Sequence, residues 1–208
     1  MAVVRGEPYS IDSSSGAIEA IVEDPAAGGA HYAVICHPHP LYGGTMDNKV
    51  VTTVARALHE CAIPTLRFNF RGVGNSQGSY DDGIGETADA AAVAAWGAER
   101  WPGRSVIVAG FSFGGYVALR LAGQIAADRL IAVAPAILRF DANSRAPNCP
   151  FTIIQGDADE VVDPQAVIAW ASALTPAPRL RVLPGVGHFF HGRLHELRDA
   201  VIDAIRNG

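Results

Sequence analysis

The sequence is poor in charge. Only 18% of its 208 residues are Asp, Glu, Lys or Arg, and the formal net charge is −5. That balance supplies no basic footprint, so neither nucleic acid nor an anionic membrane is expected as a partner. Cysteine is scarce as well. Cys36, Cys61 and Cys149 form an odd, scattered set without CxxC spacing, which indicates neither a disulfide framework nor a zinc site. Reduced, buried thiols in a cytoplasmic protein are the expectation. Long hydrophobic runs are missing too. The start, MAVVRGEPYS, has no apolar signal-peptide core, and stretches such as LIAVAPAIL are far too short to span a bilayer. No internal repeat, low-complexity tract or composition shift marks a linker. There is no P-loop, and GVGNSQG spaces its glycines wrongly for a dinucleotide-binding GxGxxG.

What is present is a hydrophobic content of 49% with 22 Gly and 13 Pro, a composition typical of compact globular enzymes. The length suits a single domain over residues 1–208. The pattern is strand, loop, helix, repeated. AVVRGEPYS and AIEAIVED read as two strands around an SSSG turn, and HYAVICHP as a short apolar strand ending at prolines. Val50, Val51, Val54 and Leu58 recur at helical spacing, with Asp47 as the expected N-cap. IPTLRFNF, RSVIVAG, RLIAVAP, PFTIIQG and RLRVLPG are further strands. Helices are expected from Glu86 to Trp101, Phe113 to Ile125 and Pro164 to Leu174, and a last one carries Leu194, Leu197, Val201 and Ile205 before a stop at Asn207-Gly208. Short apolar strands alternating with helices predict an α/β fold, a mostly parallel sheet covered on both faces. Ligands then bind beyond the C-terminal strand ends.

The loop after RSVIVAG carries the clearest chemistry. Gly110-Phe111-Ser112-Phe113-Gly114 is a G-x-S-x-G between strand and helix, the nucleophile elbow, in which a sharp turn presents the serine hydroxyl. A serine nucleophile needs a base and an orienting carboxylate, here in the order Ser, acid, His. GDADEVVDP follows one later strand and GVGHFFHG another. Order and placement match. Metal readings fail on spacing. DADEVVD puts Val161 and Val162 where a calcium loop needs an oxygen ligand and a glycine, and His191 and His195 lack the glutamate of H-E-x-x-H.

Together these features resemble the α/β-hydrolase superfamily over essentially the whole chain. The resemblance implies an eight-stranded, mostly parallel sheet with helices on both faces. Gly156, Asp159 and Val161 match the family's G-x-x-D-x-V loop, which makes Asp159 the acid. Asp157 is left to shape the turn and Asp163, before Pro164, to cap a helix. His188, after Gly-Val-Gly, resembles the catalytic histidine. The backbone N–H of Phe113 is one implied oxyanion donor. CHPHPLYGGT is similar to the family's H-G-x-P loop, with Pro38 in place of glycine. Prolines carry no N–H, which leaves the amides of His37, His39 and Leu41, and the match to that loop implies His39 as the second donor, with Leu41 as the fallback. In FNFRGVGNSQG, Arg71 and Asn69 are expected to tie the loop to the sheet, with a substrate carboxylate as a second role for Arg71. The segment AILRFDANSRAPNCP leaves no room for a cap domain. The resemblance is therefore to small lidless serine hydrolases near the dienelactone-hydrolase-like and prolyl-oligopeptidase-like branches. Leu41, Tyr42, Phe111, Phe113, Phe189 and Phe190 are expected around an open pocket.

The expected activity is serine esterase or thioesterase chemistry on small acyl substrates, with no cofactor and no metal. A peptidase or amidase, or a binding module that kept the fold, are the alternatives. Monomer and homodimer both remain open.

Overall fold

Eight strands pair in the order β1-β2-β4-β3-β5-β6-β7-β8. They are β1 Glu7–Ser13, β2 Gly16–Glu23, β3 His31–Cys36, β4 Thr65–Phe68, β5 Ser105–Phe111, β6 Ala127–Val133, β7 Phe151–Gly156 and β8 Arg179–Leu183. The hairpin β1–β2 and the pair β2–β4 are antiparallel, and every pairing from β4 onward is parallel. The computed structural model describes residues 6–26, 29–137 and 146–207. The first residues of the opening strand, the middle of AILRFDANSRAPNCP and the stop at Gly208 lie outside these.

Strand alternation explains the near-continuous apolar runs, because both faces are covered. Tyr32, Val34, Val108, Leu130, Ala132 and Ile153 pack on one face. There they meet α2 (Ile84–Arg100), α3 (Phe113–Ala122) and α4 (Pro164–Ala173). Their neighbours Ala33, Ile35, Ile107, Ala109, Ile131 and Ile154 point the other way. They pack on α1 (Lys49–Glu60) and α5 (Leu194–Asn207). No helix among the described residues is long and apolar enough to cross a membrane.

Several boundaries differ from the sequence reading; α2, for one, begins at Ile84 rather than Glu86. Asn48, not Asp47, caps α1, its side-chain oxygen accepting from Val50 N–H at 2.9 Å. Asp47 instead accepts from Arg67 at 3.0 Å. Helix α3 stops at Ala122, three residues before Ile125, with Gly123 at the C-cap.

The loop after β4 is held by a buried ion pair. Arg71 donates from Nε and Nη2 to the two Asp89 oxygens at 2.9 and 2.8 Å, and its backbone N–H adds a third bond at 3.0 Å. Ser13 and Ser15, at the hairpin turn, also donate to Asp89. Asp89 sits on α2 and is fully buried, so one carboxylate joins hairpin, loop and helix. Asn69 ties the same loop to β2 through Glu19, at 2.8 Å. Removing one member of such a buried pair strands the other charge. Asp89→Ala is expected to lower unfolding free energy by about 3–5 kcal/mol, measurable as a reduced denaturant midpoint.

Candidate active site

Ser112 stands between β5 and α3 with φ 55° and ψ −117°, backbone angles that cost a non-glycine residue roughly 1–3 kcal/mol. Backbone bonds hold the turn: Ser112 N–H donates to the Val133 carbonyl at 2.9 Å, and the Ser112 carbonyl accepts from Gly115, Tyr116 and Ala136. A Cβ on Gly114 would strike the carbonyl oxygens of Cys36 and His37. Only glycine lets the start of α3 lie against the end of β3. Phe113 is the first residue of that helix.

The acid and the histidine arrive from the C-terminal ends of β7 and β8. His188 Nε2 lies 3.1 Å from Ser112 Oγ, and Nδ1 lies 2.8 Å from Asp159 Oδ2. An ionised carboxylate only accepts, so Nδ1 carries the proton and Nε2 faces the hydroxyl as acceptor. Asp159 receives two further bonds at Oδ1, from the N–H groups of Val161 at 2.9 Å and Val162 at 2.8 Å. Burial pushes its carboxyl up, but the bonds from His188, Val162 and Val161 outweigh that and hold it below the ordinary Asp value. The His188 N–H donates to Glu160 at 3.1 Å, and the ring packs on Phe111 with centroids 4.9 Å apart. Gly156 is required here too, since a Cβ would strike the Val186 carbonyl of the histidine loop. All three side chains are buried below a cavity of about 400 Å³.

The two histidines of His-Pro-His-Pro have different environments. His37 is fully buried; its Nδ1–H donates to the Pro38 carbonyl at 2.6 Å and its Nε2 accepts from Phe70 N–H at 3.0 Å. It pins the end of β3 to the loop after β4. His39 lines the cavity. Its Nδ1 accepts from Leu41 N–H and its Nε2–H donates to Tyr80 Oη, both at 3.2 Å. Its ring stacks near Tyr42, Tyr80 and Phe113 at centroid distances of 4.7–4.9 Å. The Leu41 amide is therefore engaged by an imidazole, which removes it as the fallback oxyanion donor.

Tyr42, Phe113 and Phe189 line the cavity, together with Asn48, Ala136, Val161, Val162 and Asp163. Leu41, Phe111 and Phe190 do not, contrary to expectation. Leu41 is 68% exposed on the far side of a short 3-10 turn, while Phe111 and Phe190 are sealed in the core beneath the site. Asp163 caps α4 as expected. Asp157 does not shape its own turn but accepts from Gly185 N–H at 2.6 Å, linking two strand ends. Arg71 is turned away from the cavity into its pair with Asp89. The sequence reading missed Gln155, which donates to Asp159 Oδ2 at 2.9 Å. A glutamine at the end of the mostly apolar strand PFTIIQG was the available signal.

A family model described as serine aminopeptidase, S33, matches residues 34–141, more than half the chain. The chain belongs to the α/β-hydrolase superfamily. Within it, this hydrolase is similar to an α/β serine hydrolase homologue from Coxiella burnetii, at 42% identity and TM-score 0.92, covering 97% of this chain and 98% of that one. It is equally similar to an α/β serine hydrolase without a lid from Xanthomonas campestris, at 42% identity and TM-score 0.92 over 99% and 96% of the two chains. An uncharacterized protein of Rickettsia prowazekii is 34% identical, over 90% of this chain and 84% of its own.

The environment of His37 gives the hydrolase a pH-dependent component of stability. Burial lowers its pKa from 6.5 to about 4. The unfolded chain therefore takes up a proton that the folded state refuses. This stability is fully present above pH 6.5 and is lost as pH falls through 4, a loss of roughly 3 kcal/mol. Thermal melts across that range are expected to show the decline, and His37→Gln to remove its contribution to the slope.

Proposed function

We propose that this hydrolase cleaves carboxylic ester or thioester bonds of small acyl substrates through an acyl-enzyme on Ser112. The observation that carries the reading is the continuous line Ser112 Oγ, His188 Nε2, His188 Nδ1, Asp159 Oδ2, with links of 3.1 and 2.8 Å, at the floor of a largely apolar cavity. Ser112 attacks the carbonyl carbon while His188 takes its proton. Asp159 holds the imidazole in the required tautomer and stabilises the imidazolium. The oxyanion forms against the N–H groups of Phe113, at the start of α3, and of His39 on the facing loop. The alternating prolines support His39, since neither flanking residue has an amide hydrogen. His188 then protonates the leaving group, and water repeats the sequence to release the acid. No step calls for a cofactor.

The volume supports a compact substrate. The cavity of about 400 Å³ lies near the lower end of the range of small-molecule sites. A second reading, cleavage of a peptide or aminoacyl amide, is favoured by the aminopeptidase description of the matching family model. An aminopeptidase must hold a substrate ammonium, whereas this cavity is largely apolar, with Asp163 as the carboxylate among its lining residues and its Oδ1 committed to capping α4. The ester reading is preferred for that reason.

A fluorophosphonate probe is expected to label Ser112 covalently, as located by peptide mass spectrometry. Ser112→Ala should abolish labelling, and either Ser112→Ala or His188→Ala should reduce turnover by roughly ten-thousand-fold or more. An unlabelled wild-type protein would favour a binding module instead. In a panel of short-chain esters, thioesters and aminoacyl anilides, the esters or thioesters are expected to turn over fastest; faster anilide cleavage would establish the peptidase reading.

A further inference from the structure

Gln155 stands one residue before the G-x-x-D loop, at the C-terminal end of β7, and is fully buried. Its side-chain amide is held between two acceptors. Nε2 donates to Asp159 Oδ2 at 2.9 Å and lies 3.3 Å from the Gly156 carbonyl oxygen. Both neighbours only accept, so the NH₂ group must face them and the amide cannot be turned over. The consequence falls on the other end of the side chain: Oε1 is buried without a hydrogen-bond partner. A buried unpaired acceptor costs free energy that an apolar residue of the same shape would not incur. A residue kept only for packing would not be a glutamine here. What the glutamine alone supplies is a donor to Asp159.

The oxygen it reaches matters. Asp159 Oδ1 is fixed by two backbone N–H groups, whose positions are set by the loop itself. Oδ2 is shared by the His188 imidazole and by Gln155. Gln155 is therefore the one side chain other than His188 on that oxygen among the described contacts, and it approaches from the rigid sheet rather than from the loop. It fixes the rotation of the carboxylate about its axis and withdraws charge from the oxygen that bonds the imidazole.

From this geometry we infer that Gln155 is a positioning residue for the Asp159–His188 pair, one that sets the strength and direction of the bond to the imidazole at a cost to stability. This rests on the catalytic reading of Ser112, His188 and Asp159 given above. Its two consequences have opposite signs. Removing the donor should impair the chemical step, while relieving the buried unpaired oxygen should leave the fold as stable or more so. A merely structural residue would lose both together.

The test is Gln155→Met, close in length and shape but with no donor. Expected are an unchanged or raised Tm, a KM on a short-chain nitrophenyl ester within about twofold of wild type, and a kcat lower by roughly ten- to a hundredfold. The low-field proton resonance of His188 Nδ1–H should also move downfield, because the imidazole becomes the sole side-chain donor to Oδ2. That resonance is read without turnover. If wild-type protein fails to hydrolyse any acyl substrate but the resonance still shifts in Gln155→Met, the functional reading fails and the positioning role stands. If Gln155→Met does not fold, the isosteric Gln155→Glu carries the same test: a carboxyl group beside Asp159 must share a proton with it, so the resonance must move and kcat must fall. An unmoved resonance with unchanged kcat overturns the inference. So does a kcat loss matched by a fall in Tm with the resonance in place.

Discussion

The contact on which the rest of the site depends is the close approach of the start of α3 to the end of β3. Gly114 has no Cβ to hold the two apart, and the carbonyls of Cys36 and His37 lie directly against it. This contact turns the chain sharply enough to drive Ser112 into a positive φ. It also brings the His39 loop over the same cavity as the serine. The strain at Ser112 persists because the surrounding backbone bonds over-determine it. Phe111 and Phe113, the residues on either side, are buried in opposite cores. The serine thus sits at the rim of the sheet with one aromatic anchor in each layer.

Burial of polar groups around this rim follows one rule. Asp89, His37 and Asp159 each reach across from one element to another and are answered there. Asp89 joins a hairpin, a loop and a helix. His37 joins two strand ends. Asp159 collects N–H groups from its own loop, from β7 and from the histidine loop. Such groups add little net stability when satisfied and are costly when not. Their contribution is to fix which loop conformations are compatible with a closed core. Gln155, beside Asp159, keeps an unanswered oxygen, and there geometry outranks stability.

Much of this was legible in the sequence. The strands are runs of apolar residues bounded by glycine and proline, and a sheet covered on both faces produces that pattern. Ser112 was marked by its pentapeptide, and Asp159 and His188 by their loops after the last two strands. What escaped was orientation within loops. Nothing in the order of Pro40, Leu41 and Tyr42 states that a 3-10 turn presents Tyr42 to the cavity and Leu41 to solvent. Phe189 and Phe190 are adjacent and chemically alike, yet a positive φ at Phe190 sends it into the core and leaves Phe189 on the cavity wall. Asn48 replaced Asp47 as cap because Arg67, distant in sequence, claims the aspartate.

The apolar rim of the cavity has a thermodynamic corollary. Tyr42, Val161 and Phe189 are among the few large hydrophobic side chains exposed among the described residues, and all three line its mouth. A substrate that covers them releases the water ordered over their surfaces. Association should then carry a negative heat-capacity change. Because the drive from such surface weakens on cooling, substrate capture would lose strength toward low temperature even where the bond-breaking machinery beneath is unaltered.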